Sequence, residues 1–193
     1  NGVLIILEAA GEAEEQSGIP VVGAAGIWMC SQLKRVGIER SGFRIHNCLS
    51  CRPPNNKLIK MPYTDEALRC CTPNLDATIR EHVLHCKQIG KTPVIVSLGK
   101  FSFRQLTGNT DYSPIMKADY QTYAHWLPHH GCFLLAAPHP SHMMQGKNHL
   151  APTMSFVFQR ALEIATEGLQ LDRPYYLLDP SPADFKAWVD DYL

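Results

Sequence analysis

The apolar run Val3-Leu4-Ile5-Ile6-Leu7 constrains this chain most, because it stops at Glu8 and gives way to Ala9-Ala10-Gly11-Glu12-Ala13-Glu14-Glu15. A short apolar run rich in β-branched residues, ending in small residues and glycine, reads as a buried strand that delivers a loop at its carboxyl end. Open α/β sheets place their sites at that end. The loop gathers Glu8, Glu12, Glu14 and Glu15 around Gly11, then closes through Gly18-Ile19-Pro20-Val21-Val22-Gly23 into a helix-spaced segment from Ile27 to Val36. Taken alone, such an acidic segment reads as a solvated turn ahead of a helix. The later motifs point it toward a site.

The same strand, loop and helix order recurs along the chain. Phe43-Arg44-Ile45-His46-Asn47 alternates as a second strand with Asn47 at its end, followed by Cys48-Leu49-Ser50-Cys51-Arg52-Pro53-Pro54. Prolines 53, 54 and 62 forbid helix until Thr64-Asp65-Glu66, an N-cap signature opening a long helix to His85 that Pro73 should kink or split. Pro93 to Gly99 is a buried parallel strand leading into a short helix, Phe101 to Leu106. Residues 108–131 show no regular period and read as irregular, with an edge hairpin as one option. Cys132 to Ala137 is the fourth strand, it ends in His139-Pro140-Ser141, and a last long helix runs from Pro152 to Glu167. These elements predict an α/β fold, three-layer α/β/α with a central four-stranded parallel sheet. Residues 1–171 form the domain, and 172–193 a C-terminal extension with a strand, a Pro-rich turn and an amphipathic helix leading toward a further domain.

The 193 residues, 45% hydrophobic, suit one core. Eighteen basic residues balance eighteen acidic ones, so nucleic-acid binding must use a local patch rather than bulk charge. No apolar run is long enough to span a bilayer, and the start at Asn1 reads as an excised piece of a soluble intracellular protein, cytoplasmic or nucleoid-associated. Seven scattered cysteines favour reduced thiols or metal ligation over disulfide staples.

Taken in order, Glu8-Ala-Ala-Gly11-Glu-Ala-Glu14-Glu15, Gly18 to Gly26, Asn47 to Pro54, Val96-Ser-Leu-Gly99 and His139-Pro-Ser141 resemble the uracil-DNA glycosylase superfamily, specifically its iron-sulfur, thermostable family four. No single piece decides it; the ordered set at strand ends does. The resemblance covers residues 3–171 and implies a DNA-repair hydrolase that flips uracil out of the stack and cleaves its N-glycosidic bond, monomeric and without a diffusible cofactor. Asn47 offers the donor and acceptor that the uracil N3–H and O4 edge requires, which should reject cytosine. The resemblance gives His139 the uracil O2, where negative charge develops. It gives Glu14 the water or the sugar cation, and Glu8 the space near C5 that excludes the thymine methyl. The backbone of Ala9, Ala10 and Gly11 and the side chain of Val21 complete the base pocket. Ser141 and Arg52 would meet DNA phosphates, with Lys57, Lys60 and Lys147 as further basic contacts, and Met143 or Met144 would wedge into the vacated stack.

The sequence departs from the family at Val21, where a stacking Phe is usual, at Ala10 in place of Pro, and at Gln145 in place of Arg. The family's [4Fe-4S] cluster takes four cysteines. Two match Cys51 and either Cys71 or Cys70, the pattern Cys71-Thr-Pro-Asn-Leu75 favouring Cys71. The other pair lies upstream of the first strand in the family and is outside this chain, leaving Cys48 as the nearest substitute. A second expectation is a catalytically decayed, glycosylase-like DNA-binding module of a larger, polymerase-associated replication protein of phage type. A third is another nucleoside hydrolase on the same framework.

Overall fold

In the computed structural model the described residues are 1–58, 62–113, 118–146 and 148–169. Lys60, Lys147 and the expected strand, turn and helix of the tail lie outside the described residues.

Strands β1 (Val3–Ala9), β2 (Arg44–Leu49), β3 (Val94–Leu98), β4 (His125–Leu127) and β5 (Cys132–Ala137) form one five-stranded sheet in the order β2-β1-β3-β5-β4. The sheet has five strands and not the four expected, because the edge hairpin forms: β4 pairs antiparallel with β5, Trp126 opposite Phe133. The other pairings are parallel, with Leu7 opposite Asn47, Ile5 opposite Val96 and Val96 opposite Leu135.

Alternation along β1 builds a core on each face of the sheet. Val3, Ile5 and Leu7 pack with Met29 and Leu33 of helix α2 (Ala24–Arg35) and with Val157, Phe158 and Ala161 of the last helix, Ala151–Glu167. Leu4 and Ile6 pack with Leu68, Leu75 and Ile79 of α3 (Thr64–Gln88) and with Phe101 and Phe103 of α4 (Lys100–Thr107). Helices therefore cover both faces of the sheet. The acidic segment is a helix rather than a loop, α1 (Glu12–Ser17), ended by Gly18 in the left-handed region. Two short helices, α5 (Ala118–Thr122) and α6 (Pro140–Met144), precede the last one, α7 (Ala151–Glu167). Helix α3 runs unbroken through Pro73, so the expected kink or split does not divide it.

The strand order reverses about β1, which has β2 on one side and β3 on the other. Such a switch point opens a crevice outside the carboxyl ends of the strands. Glu8, Gly99 and His139 all follow or end strands there.

Candidate active site

The crevice is a cavity of about 760 Å³, within the usual size of a small-molecule site. Glu8, Ala9, Ala10, Gly11, Glu14, Val21, Asn47, His139, Ser141 and Met144 all line it. These residues come from segments far apart in sequence, so the fold itself brings the expected constellation together.

Glu8 follows the buried part of β1, Val3 to Leu7. Its Oε1 accepts the Phe101 N–H in the first turn of α4 at 3.1 Å. Burial pushes its carboxyl up, opposed by that N–H and by the charge of Lys100. The close approach depends on Gly99, whose φ is +98°; a Cβ there would lie 2.5 Å from Glu8 Oε1 and 3.0 Å from the His139 Cβ. Only glycine lets three strand ends close up in this way.

Glu14 lies in α1, and both of its oxygens accept backbone N–H groups: Oε2 from Gly11 at 3.1 Å and Oε1 from Gly23 at 2.7 Å. The carboxylate thus ties the start of α1 to the start of α2, while each oxygen keeps a further lone pair. Between those points Val21 is buried at φ 61°. Its backbone lies so close to α2 that a Cβ on Gly26 would meet the Val21 carbonyl carbon and oxygen at 2.3 Å.

Asn47 is in β2 beside Leu7, two residues before the strand ends at Leu49. It is half-buried, and no other described residue hydrogen-bonds its amide, so the donor and the acceptor are both open to a ligand. His139 caps α6. Its Nδ1 accepts the Ser141 N–H at 3.2 Å and lies 2.8 Å from the Ser141 Oγ. An acceptor Nδ1 places the ring proton on Nε2. Burial, with a smaller push from His142, lowers the His139 pKa to about 4, so the imidazole is neutral at pH 7 and its Nε2–H is a donor.

Three expected residues do not line this cavity. Met143 is fully buried in the core, so only Met144, 40% exposed at the cavity, can reach a nucleic acid. Neighbouring positions on a helix point about 100° apart, which sorts one methionine inward and the other outward. Cys48 is also fully buried, its thiol donating to the Glu8 carbonyl at 3.0 Å, with burial holding it protonated, and it does not line the cavity of Cys51, Cys70 and Cys71. Arg52 does not line the main cavity. Its guanidinium bonds Glu12, Glu15 and Asn56.

Cys51, Cys70 and Cys71 line a second cavity of about 290 Å³. Among the described residues no three His, Cys, Asp or Glu side chains are grouped so as to hold a metal ion. With Cys48 turned to Glu8, Cys51, Cys70 and Cys71 supply at most three of the four thiolates that such a cluster takes. Among the described residues no helix is long and apolar enough to cross a membrane.

Asn56, Gly23 and Gly99 were not expected as site residues, yet all three build it. Asn55 and Asn56 both have positive φ, 53° and 55°. The paired asparagines after Pro53-Pro54 carried that signal, since Asn tolerates the left-handed region in turns.

A mostly parallel sheet with a switch-point cavity, an unpartnered Asn amide, a neutral His donor and half-buried carboxylates makes a site for a polar heterocycle. The chain belongs to the Uracil DNA glycosylase superfamily, whose model matches residues 1–163. It is 29% identical over 178 residues to the Type-4 uracil-DNA glycosylase of Sulfurisphaera tokodaii, covering 91% of this chain and 75% of that protein. It is 37% identical over 107 residues to that of Pyrobaculum aerophilum, covering 54% of this chain and 47% of that protein. With that of Archaeoglobus fulgidus it is 32% identical over 100 residues, 52% of this chain and 44% of that protein. The chain thus spans three-quarters of the first relative and under half of the other two.

Proposed function

We propose that this chain hydrolyses the N-glycosidic bond of a flipped-out uracil in DNA. The observation that carries the reading is the meeting of Asn47, His139, Glu8 and Glu14 on one cavity. Asn47 takes the N3–H and O4 edge of the base with its two open amide ends, and cytosine, with its pattern of donor and acceptor changed, leaves that amide mispaired.

As the C1′–N1 bond breaks, its electron pair passes into the base, and negative charge gathers at O2. The neutral Nε2–H of His139 donates to it, as a fixed donor costs no reorganisation at the moment of reaction. Water adds at C1′, and the proton it gives up ends on the uracil anion, leaving an abasic sugar and neutral free uracil. Glu14, held between two backbone N–H groups, supplies fixed negative charge to the cationic sugar. Glu8 fills the space near C5. Ser141 and Met144 are the DNA-facing residues of the His139 loop. A [4Fe-4S] cluster would use Cys51 and Cys71, with Cys70 as the alternative, and needs thiolates beyond those described; no step of the chemistry runs through it.

A strand with a single uracil, treated with the protein and then alkali beside the same strand carrying thymine, tests the reading. Only the uracil strand should break, and His139→Ala or Asn47→Ala should each slow the reaction by about 10²–10³. A folded wild-type chain that binds DNA without breaking it would replace the reading with a decayed DNA-binding module.

A further inference from the structure

The geometry points to Arg52 as a positioning residue that fixes Asn56 and α1 on the wall of the cavity, rather than as a contact to DNA phosphate. This rests on the functional reading above. Arg52 is half-buried, its side chain 21% exposed, and its donors are spent in three directions. Nη1 meets Glu15 Oε2 at 3.0 Å, Nη2 meets Glu12 Oε2 at 3.3 Å, and Nε donates to Asn56 Oδ1 at 2.7 Å. Two of these partners, Glu12 and Asn56, line the main cavity, whereas Arg52 itself lines the second, cysteine-lined one.

The two cavities share a wall. Pro53 and Leu58 face both, so the segment 53–58 is a partition one layer thick. Its turn is held by the Asn56 and Lys57 amides donating to the Pro53 and Pro54 carbonyls, with Asn55 and Asn56 both in the left-handed region. Such a turn has few contacts of its own. Arg52 ties it to α1, and by taking Asn56 Oδ1 leaves the amide nitrogen of Asn56 as the open end, a donor on the cavity wall. A cation already matched by two carboxylates has little charge left for a phosphate, and a rigid guanidinium fork reaches three acceptors that an ammonium cannot reach together.

Steady-state cleavage of uracil DNA by Arg52→Ala, Arg52→Lys, Asn56→Ala and the double variant Arg52→Ala/Asn56→Ala, each at several salt concentrations, separates the two roles. The brace predicts that Arg52→Ala lowers kcat tenfold or more at unchanged KM and unchanged salt dependence. It also predicts that Arg52→Lys does not rescue, and that the double variant loses less than the product of the two single losses. A phosphate contact predicts a raised KM, a salt slope reduced by about 0.9, and rescue by Lys; that result, or full activity in Arg52→Ala, overturns the proposal. If the wild-type chain cleaves nothing, the functional reading fails separately. The brace is then read from hydrogen exchange at the Asn56 and Lys57 amides, which Arg52→Ala should speed tenfold or more; unchanged exchange overturns it.

Discussion

Val21 is a β-branched residue held at φ 61°, buried against the backbone opposite Gly26 and facing the cavity. Backbone in that region costs a non-glycine residue about 1–3 kcal/mol, and such strain persists only where the surroundings impose it. Here the clasp of Glu14 on Gly11 and Gly23 fixes both sides of the turn. A flat aromatic ring in this place would give a flipped base a face to stack on, worth about 1–3 kcal/mol. Val21→Phe should therefore lower KM for uracil DNA by about tenfold, by that stacking energy, with kcat little changed. An unchanged KM would mean the ring does not reach the base. At this scale Asn47 and His139 were legible, because each sits in a short motif at a strand end. The clasp of Glu14 was not, since Gly23 is nine residues away and nothing in the intervening sequence shows a carboxylate turning back.

Helix α3 shows how an element can override its own breaker. Leu68, Cys71, Leu75, Ile79, Val83 and Cys86 recur at helical spacing and bury one face, and that burial carries the helix past Pro73. Pro73 is exposed, and it leaves the Arg69 carbonyl without its usual N–H donor. One residue earlier Thr72 Oγ1 donates to the Leu68 carbonyl at 3.0 Å, and the Gln105 side chain donates there too, at 3.3 Å. Pro73→Ala should restore the missing bond and stabilise the chain by up to about 3 kcal/mol. Thermal unfolding reads this as a rise of roughly 2–4 °C per kcal/mol, and an unchanged or lower midpoint would mean that the ring is native packing rather than a defect. Periodicity made this helix legible, but it could not weigh one proline against a 25-residue apolar face. Strand β4 was harder to read. It has three residues, and only its pairing with β5 makes it a strand.

Across the whole molecule, the desolvated histidines His82 and His139 link folding to pH. His82, fully buried beside the Gly2 carbonyl, and His139 both have pKa values lowered from 6.5 to about 4, chiefly by burial. Between pH 6.5 and 4 the unfolded chain binds protons that the folded chain refuses. Their contribution is complete above pH 6.5 and is lost as the pH falls toward 4. Glu8, raised by burial, acts in the opposite sense as the pH rises past 4.5. Urea midpoints should therefore fall between pH 7 and pH 5, and His82→Gln, which keeps a donor for Gly2, should flatten the fall. A wild-type midpoint independent of pH over that range would contradict the desolvated neutral histidines. By itself the sequence determined the alternation of strands and helices and the short motifs at the strand ends, because side-chain period and turn chemistry act between near neighbours. The tertiary structure alone decided the fifth strand, the inward turn of Met143, the Cys48 bond to Glu8 and the contacts of Arg52 with Glu12, Glu15 and Asn56. Each of these depends on which distant segment the sheet order brings alongside, and that is set by packing the two faces rather than by any local run of residues.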